Sequence, residues 1–252
     1  MQNDPEERAR KMREFFGLAP EVVLVHDQNI LTDISAPVAA HLARFNIEWH
    51  IIPDADAVPF DDAYAKRMYP MCARDFASAK AHGARCHEAL VAGHRRHQGR
   101  ILGVEATRKP VYLPGNRQSY GTAYGFDSTA DPFAQYLGSG AFSTGTRYGH
   151  NYASLREFLD LVNRDWRLRD LMPKGYRLSI CPPAIFNLIG NIFHCEWSET
   201  ETLELGFYRD DHGNAKCYAV GSNAPGDFSY IHEVESNSDW TLLGFRTALV
   251  PE

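Results

Sequence analysis

The sequence predicts an α+β protein with an N-terminal α/β region over residues 1–99 and a loop-rich region over residues 100–252. The first observation is a continuous apolar run at 22–25, typical of a strand covered on both faces. The second is the change in texture at 110–152, where Gly, Ser, Thr, Tyr and Pro dominate and no helical period can be drawn. A chain of 252 residues, 44% of them hydrophobic, is long enough to bury a substantial core.

The N-terminal elements follow from their start and stop signals. A charged amphipathic helix is predicted over 5–16 and ends at Gly17. A second helix is expected to begin after Asp33 or Ser35 and to run through Phe45, with a proline in its first turn.

Two strands flank the second helix, and a longer helix follows them. The strands are predicted at 21–26 and 48–53, which makes this region a β-α-β unit. A long Ala-rich helical stretch then runs from about residue 59 to about His97, and Gly99 closes it.

The second region contains one clear helix. The segment 154–169 carries an apolar stripe at helical spacing, and Ser154 with Glu157 matches an S-x-x-E capping box. Short strands and turns are predicted over 176–251.

Charge and cysteine usage exclude several protein classes. A formal net charge of -6 and a pI near 6.0 make nucleic acid or an anionic membrane an unlikely partner. No apolar run is long enough to span a membrane, and the charged start does not match a signal peptide, so a cytoplasmic location is predicted. Five scattered cysteines without a CxxC motif indicate neither a disulfide framework nor a four-cysteine zinc site.

Four short segments of the second region are informative because of the order in which they occur. They are Gly175–Ser179 (GYRLS), Asn187–Phe193 (NLIGNIF), Ala219–Asn223 (AVGSN) and Leu243–Ala248 (LGFRTA). In that order they resemble the GYRLPTE, GLYDMxGNVWEW, RGGSW and IGFRxA segments of formylglycine-generating, or sulfatase-modifying factor, domains, with Trp197 as the closing tryptophan. The resemblance covers about residues 109–251 and implies a C-type-lectin-like fold built from irregular loops.

Departures from the family pattern bear on function. Members that oxidise a substrate cysteine carry a copper-binding cysteine pair between RGGSW and GFR, where two thiolates select Cu(I). The equivalent stretch here, 224–243, contains no cysteine. We therefore expect a non-catalytic recognition protein on this scaffold. The alternative is a metal-dependent oxidoreductase of the same superfamily, using copper or iron at a rebuilt site that includes Cys181, Cys195 or Cys217, or His87, His94 and His97.

The resemblance also implies a calcium site near the second segment. Carried over residue by residue, main-chain oxygens of Asn187, Gly190 and Ile192 serve as ligands. His194 stands where the family has a glutamate, and Glu196 follows two residues later. The alternative is that the asparagines only hydrogen-bond a local turn.

Aromatic and polar residues crowd the loop-rich stretch. Such side chains suit a concave face that binds a small molecule or a protein, although they equally suit packing of loops onto the core. The predicted ligand-binding residues are Tyr112, Asn116, Arg117, Tyr120, Tyr124, Arg147, Tyr148 and, from the later turn, Trp197.

The end of the long helix is rich in histidine and arginine. His87, His94 and His97 share one helical stripe and could hold a metal, or they could form a solvated face. Arginines at 85, 95, 96 and 100 form a basic strip that could pair with phosphates or an acidic partner, or simply cap a solvated helix end.

Overall fold

The computed structural model shows an α+β protein. None of its described helices is long and apolar enough to cross a membrane. The residues it describes are 4–25, 34–58, 96–107, 111–113, 117–119, 131–137, 147–199, 203–209, 215–221, 230–235, 237 and 243–252.

The first two helices form where the sequence predicts them. Helix α1 spans Pro5–Phe16, and the Asp4 side chain caps it by accepting a hydrogen bond from the Glu6 N–H. Gly17 ends α1 at φ 66°, a left-handed conformation that glycine adopts without a steric penalty. Helix α2 spans Ala36–Arg44 after Ser35.

The prediction of a strand at 21–26 is wrong for its described part, residues 21–25. Residues 21–25 have no strand structure, and His26 lies outside the described part of the chain. Val23 is 52% exposed, so the apolar run is not covered on both faces as the prediction required. The N-terminal β-α-β unit is therefore reduced to α2 and the strand that follows it.

A four-stranded antiparallel sheet joins the two ends of the chain. Its order is β1 (Ile47–Ile52), β2 (Arg100–Glu105), β10 (Thr247–Pro251) and β5 (Tyr176–Ile180). Strands β1 and β2 pair along their whole length, so the boundary predicted between residues 99 and 100 separates two hydrogen-bonded strands. The long helix predicted between them lies almost entirely outside the described residues.

The remaining strands form a hairpin and a second four-stranded sheet. The hairpin pairs β3 (Val111–Leu113) with β4 (Arg117–Ser119). The second sheet has the order β8-β7-β6-β9, in which β6 and β9 run parallel. Its strands are β6 (Leu203–Arg209), β7 (Ala215–Gly221), β8 (Tyr230–Val234) and β9 (Leu243–Phe245).

Three further helices pack on these sheets. They are α3 (Ala134–Leu137), α4 (Tyr152–Leu168) and α5 (Pro183–Phe193), and a 3₁₀ turn at Cys195–Glu199 follows α5. Helix α4 confirms the predicted helix, but the predicted capping residues are wrong. Asn151 is the N-cap and Ser154 is at N3, because the Asn151 amide oxygen accepts from the Ser154 N–H.

The first sheet lies between two apolar clusters. Side chains of successive strand residues point to opposite faces, and on β10 Ala248 and Val250 join one cluster while Leu249 joins the other. Helices α1 and α5 cover the first cluster, and α2 and α4 cover the second. Residues from α1, β1 and the end of α5 thereby come together at one edge of the fold.

A buried ionic network ties the sheets together. Arg147 donates to both carboxylate oxygens of Asp131 and of Glu105, and also to the Phe245 carbonyl. Arg246 pairs with both oxygens of Glu204 and donates to the main chain at Glu105 and Thr107. Arg147 and Arg246 are each 1% exposed, so these ion pairs are part of the core.

Candidate functional site

Two histidines and a glutamate converge at the edge of the first sheet. Glu48 and His50 lie two residues apart on β1, which places both side chains on one face of the strand. His194 caps the end of α5. The Glu48 Oε2 atom is 3.4 Å from His194 Nε2 and 3.9 Å from His50 Nε2, and one ligand atom from each residue lies within 4.8 Å of the others.

Arg8 of α1 reaches into the same cluster. Its Nη2 atom is 2.5 Å from Glu48 Oε2, and its Nη1 atom is 2.8 Å from His50 Nδ1 and 3.0 Å from His50 Nε2. A guanidinium only donates hydrogen bonds, so the acceptor is whichever of the two His50 nitrogens carries the lone pair. Arg8 therefore supplies the positive charge that balances Glu48 in this structure.

His194 lies between two carboxylates. Its Nδ1 atom is 2.9 Å from Glu196 Oε1, while its buried Nε2 faces Glu48 but makes no well-aligned hydrogen bond. A neutral imidazole has one N–H and one lone pair, so it can donate to only one of two carboxylates. Either an imidazolium or a cation at Nε2 satisfies both sides, and the His194 ring is held in place by stacking on Trp197 at 4.6 Å.

The cluster keeps its other groups in the forms that bind cations. Burial, reinforced by the charges of Arg8 and His194, holds the pKa of His50 well below its ordinary value, so this imidazole is neutral. Burial alone would raise the pKa of Glu48, but the neighbouring His194 and Arg8 outweigh it and the pKa is lowered. Glu48 is therefore an anion with a neutral imidazole beside it.

A cavity of about 370 Å³ opens beside the cluster. Arg8, Glu48 and His50 line its polar part, and apolar side chains form most of the rest. This size and mixture of surfaces is typical of small-molecule pockets, where a few convergent polar groups orient a ligand. The apolar lining comes from α2, β1 and β2 and includes Leu42, Trp49, Ile51 and Ile101.

The distances from Glu48 Oε2 to the two histidines are close to those between ligands of one metal ion, and all three ligand atoms lie within 4.8 Å of one another. Nitrogen and oxygen ligands lie about 2.0–2.2 Å from Zn²⁺, so two ligands of a tetrahedral site are roughly 3.4 Å apart. The 3.4 Å between Glu48 and His194 already matches, and the 3.9 Å between Glu48 and His50 is slightly longer. Glu196 supplies the second carboxylate that commonly orients a metal-binding histidine.

The predicted calcium ligands divide into two groups. Asn187, Gly190 and Ile192 lie within the continuous helix α5, where the Gly190 carbonyl accepts from the His194 N–H and the Asn187 carbonyl accepts from the Asn191 side chain. The Asn187 and Gly190 oxygens are thus engaged, and Ile192 lies in the last turn of the helix and not in a loop, so the three do not form a calcium loop. His194 and Glu196 do come together, but with Glu48 and His50.

Three of the predicted ligand-binding residues are in the core. Arg147, Tyr148 and Trp197 are at most 2% exposed, and every Arg147 nitrogen is engaged in the ionic network. A face formed by these side chains is not open in this structure. Tyr112 and Arg117 lie on the two strands of the β3–β4 hairpin, where Tyr112 pairs with Gln118 and Arg117 pairs with Leu113. Asn116, Tyr120 and Tyr124 lie outside the described residues.

The described residues do not support the alternative metal sites that were expected at the cysteines or at the histidine stripe. Cys181 and Cys217 are buried, Cys195 is exposed, and burial raises the pKa of the Cys181 thiol far above its ordinary value. Of the histidine stripe only His97 lies among the described residues, and it is buried away from the Glu48 cluster.

Sequence reasoning missed Arg8, Glu48 and His50. One signal was available, because Ile47–Ile52 (IEWHII) places a glutamate and a histidine at alternate positions of an otherwise apolar strand. A charged residue in such a strand needs a buried partner or a functional reason. The pairing of this strand's face with the end of α5 depends on tertiary structure, which no local pattern reveals.

Comparisons with known proteins give no further guide to this site. A scan against protein-family models found no match, and searches of curated proteins and of solved structures found no significant match either. The functional inference therefore depends on the geometry of the chain itself.

Proposed function

We propose that this protein is a metal-dependent enzyme that holds a divalent transition-metal ion with Glu48, His50 and His194 and acts on a small molecule in the adjoining cavity. One observation carries the proposal: His194 lies between the carboxylates of Glu196 and Glu48, 2.9 Å and 3.4 Å away. A cation at the His194 Nε2 atom gives the ring a favourable partner on both sides, which neither neutral tautomer of the imidazole can have between two carboxylates.

The ligand set indicates which metals fit. Two imidazoles and one carboxylate form the set used by non-haem iron(II) oxygenases and by zinc hydrolases, and both leave coordination positions open for substrate. Copper(I) prefers thiolate ligands, and the cluster of Glu48, His50 and His194 offers none, so copper(I) is disfavoured. An iron ion would supply redox chemistry at this site, which is the chemistry of the superfamily that the sequence resembles.

The surrounding residues have separate tasks in this proposal. Glu196 fixes the His194 tautomer so that Nε2 presents a lone pair to the ion. Trp197 holds the plane of the His194 ring by stacking. Arg8 pairs with Glu48 in this structure and would have to move aside for an ion, which would leave its guanidinium available to an anionic group of the substrate.

Metal analysis of purified protein, followed by titration of the stripped protein with Fe²⁺ and Zn²⁺, tests the proposal. We expect about one bound ion per chain and a metal-dependent rise in melting temperature. Glu48→Gln should weaken binding by roughly a hundredfold, because it removes a direct ligand. Glu7→Gln is the matched control, since Glu7 is exposed on α1 and should not change metal affinity.

A second candidate, a non-catalytic protein that binds a small molecule without metal, is favoured by Arg8. The Arg8–Glu48 ion pair already neutralises the cluster, and the cavity alone meets the requirements of a ligand pocket. Arg8→Gln separates the two candidates. Metal affinity rises in this variant if Arg8 competes with an ion, whereas no metal binds in either protein if the cavity works alone.

The scaffold assignment is part of this proposal. We infer a sulfatase-modifying-factor-like, C-type-lectin-like frame from the sequence resemblance. Its support is that the first and fourth resembling segments coincide with β5 and β9–β10, and that the described part of the third, Ala219–Gly221, forms the end of β7. The second segment departs from the family pattern because α5 is a continuous helix. A cytoplasmic location, and a small-molecule or protein ligand in preference to nucleic acid, are further proposals drawn from the sequence.

A further inference from the structure

A second cleft, of about 220 Å³, lies beside α4 at the β5 edge of the first sheet and is lined by three arginines. Arg96 precedes β2, Arg156 lies on α4 and Arg177 lies on β5. The three positions come from different elements, so their convergence is a property of the tertiary fold and not of one helix face. All three side chains belong to exposed residues at the mouth of the cleft.

These arginines differ from most others in the described chain. None of the three forms an ion pair or hydrogen bond with another described side chain, and among the described residues that line the cleft Asp160 is the only acidic one. Three guanidinium groups around one concavity repel each other unless an anion joins them. In contrast, ion pairs engage Arg8, Arg10, Arg147, Arg167, Arg169 and Arg246.

His97 records the positive field inside the cleft. Its side chain lines the cleft, and burial together with the charges of Arg96, Arg177 and Arg100 lowers its pKa to about 4. The imidazole is therefore neutral at pH 7 and can donate one hydrogen bond without adding charge. This local positive field occurs in a chain whose formal net charge is -6.

The walls between the arginines are suited to an organic group. Tyr152 and Phe207 meet edge to face, with ring centroids 5.0 Å apart, and both line the cleft. Leu159 and Pro182 add apolar surface, and Ser179 adds a hydroxyl. Asn163 also lines the cleft, but its amide is engaged with the main chain at Leu159 and Leu178, so it shapes the floor.

We propose that this cleft binds the phosphate group of a phosphorylated small molecule, with Arg96, Arg156 and Arg177 as the anion ligands and the Tyr152–Phe207 pair against its organic part. Guanidinium groups bind phosphate through paired, charge-assisted hydrogen bonds. The site is independent of the metal proposal, because it shares no residue with the Glu48 cluster.

Titration of the full-length protein with inorganic phosphate at low ionic strength, followed by calorimetry, tests this site. Arg156→Gln and Arg177→Gln should each weaken phosphate binding by roughly tenfold. Arg164→Gln is the matched control, because Arg164 is exposed on the same helix and does not line the cleft. Phosphate should also raise the pKa of His97, observed by NMR of its ring, since the bound anion offsets the arginine field.

Three results would overturn the proposal. The first is the absence of phosphate binding by the wild-type protein. The second is an equal loss of binding in Arg164→Gln, which would indicate nonspecific charge. The third is tighter binding of a short single-stranded oligonucleotide than of any phosphorylated small molecule, which would indicate a nucleic-acid surface.

Discussion

The Arg147 network and the Glu48 cluster are both buried polar groups, but they differ in how completely their atoms are satisfied. Arg147 donates paired hydrogen bonds to Asp131 and to Glu105, and Glu105 also accepts from the main-chain N–H and the hydroxyl of Thr247. In the Glu48 cluster, His194 Nε2 makes no aligned hydrogen bond, and a cavity opens beside Glu48 and His50.

This difference separates structural charges from functional ones. A closed network stabilises a single arrangement of the core and has no position left for a ligand. An incomplete cluster at a cavity keeps a lone pair and a carboxylate available to an incoming group. We therefore assign function to the Glu48 cluster, although the Arg147 network contains more charges.

The largest expected effect comes from breaking the closed network. Arg147→Met leaves the carboxylates of Glu105 and Asp131 buried without their partner, so the free energy of unfolding should fall by about 3–5 kcal/mol. Urea unfolding of the variant and the wild type measures this loss. A fall below about 1 kcal/mol would show that the network is open to water and would remove the contrast with the Glu48 cluster.

Acid should weaken the closed network next. Arginine neighbours hold the pKa of Glu105 at about 2 against an ordinary value of 4.5, although burial opposes them. The unfolded chain thus binds this proton more readily, so the stabilisation is complete above about pH 4.5 and is lost as pH falls towards 2. The loss is roughly 3 kcal/mol, and Glu105→Gln should flatten the pH dependence of unfolding in that interval.

Opening the Glu48 cluster should cost less stability. Arg8→Gln removes the partner of Glu48, but the Glu48 side chain is 16% exposed and water can replace part of the interaction. We expect a loss of about 1 kcal/mol in the free energy of unfolding. A loss as large as that of Arg147→Met would identify Arg8 and Glu48 as another structural ion pair.

The smallest effect should come from an exposed ion pair. Arg167 contacts Glu252 with both side chains about half exposed, so Arg167→Gln should change the free energy of unfolding by less than about 0.5 kcal/mol. Thermal denaturation at low and high salt checks this prediction. A larger effect, sensitive to salt, would mean that surface charge contributes more to stability than the comparison assumes.

Local signals predicted the helices and several strands but not the site. Pro5, Gly17, Ser35 and the apolar stripe of α4 are start, stop and burial signals, and the structure confirms their helices. The run at 21–25 failed as a strand because apolar composition does not reveal which residues will be covered. Glu48 and His194 are far apart in sequence, and only the packing of β1 against α5 brings them together.

Nuclear magnetic resonance of the histidine rings during Zn²⁺ titration tests the central assignment most directly. The account predicts that the ring nitrogens of His50 and His194 shift together, to saturation at about one equivalent, while those of His41 and His97 keep their positions. Zinc that leaves the His50 and His194 signals unchanged, or that perturbs His41 and His97 as strongly as these two, would contradict this assignment.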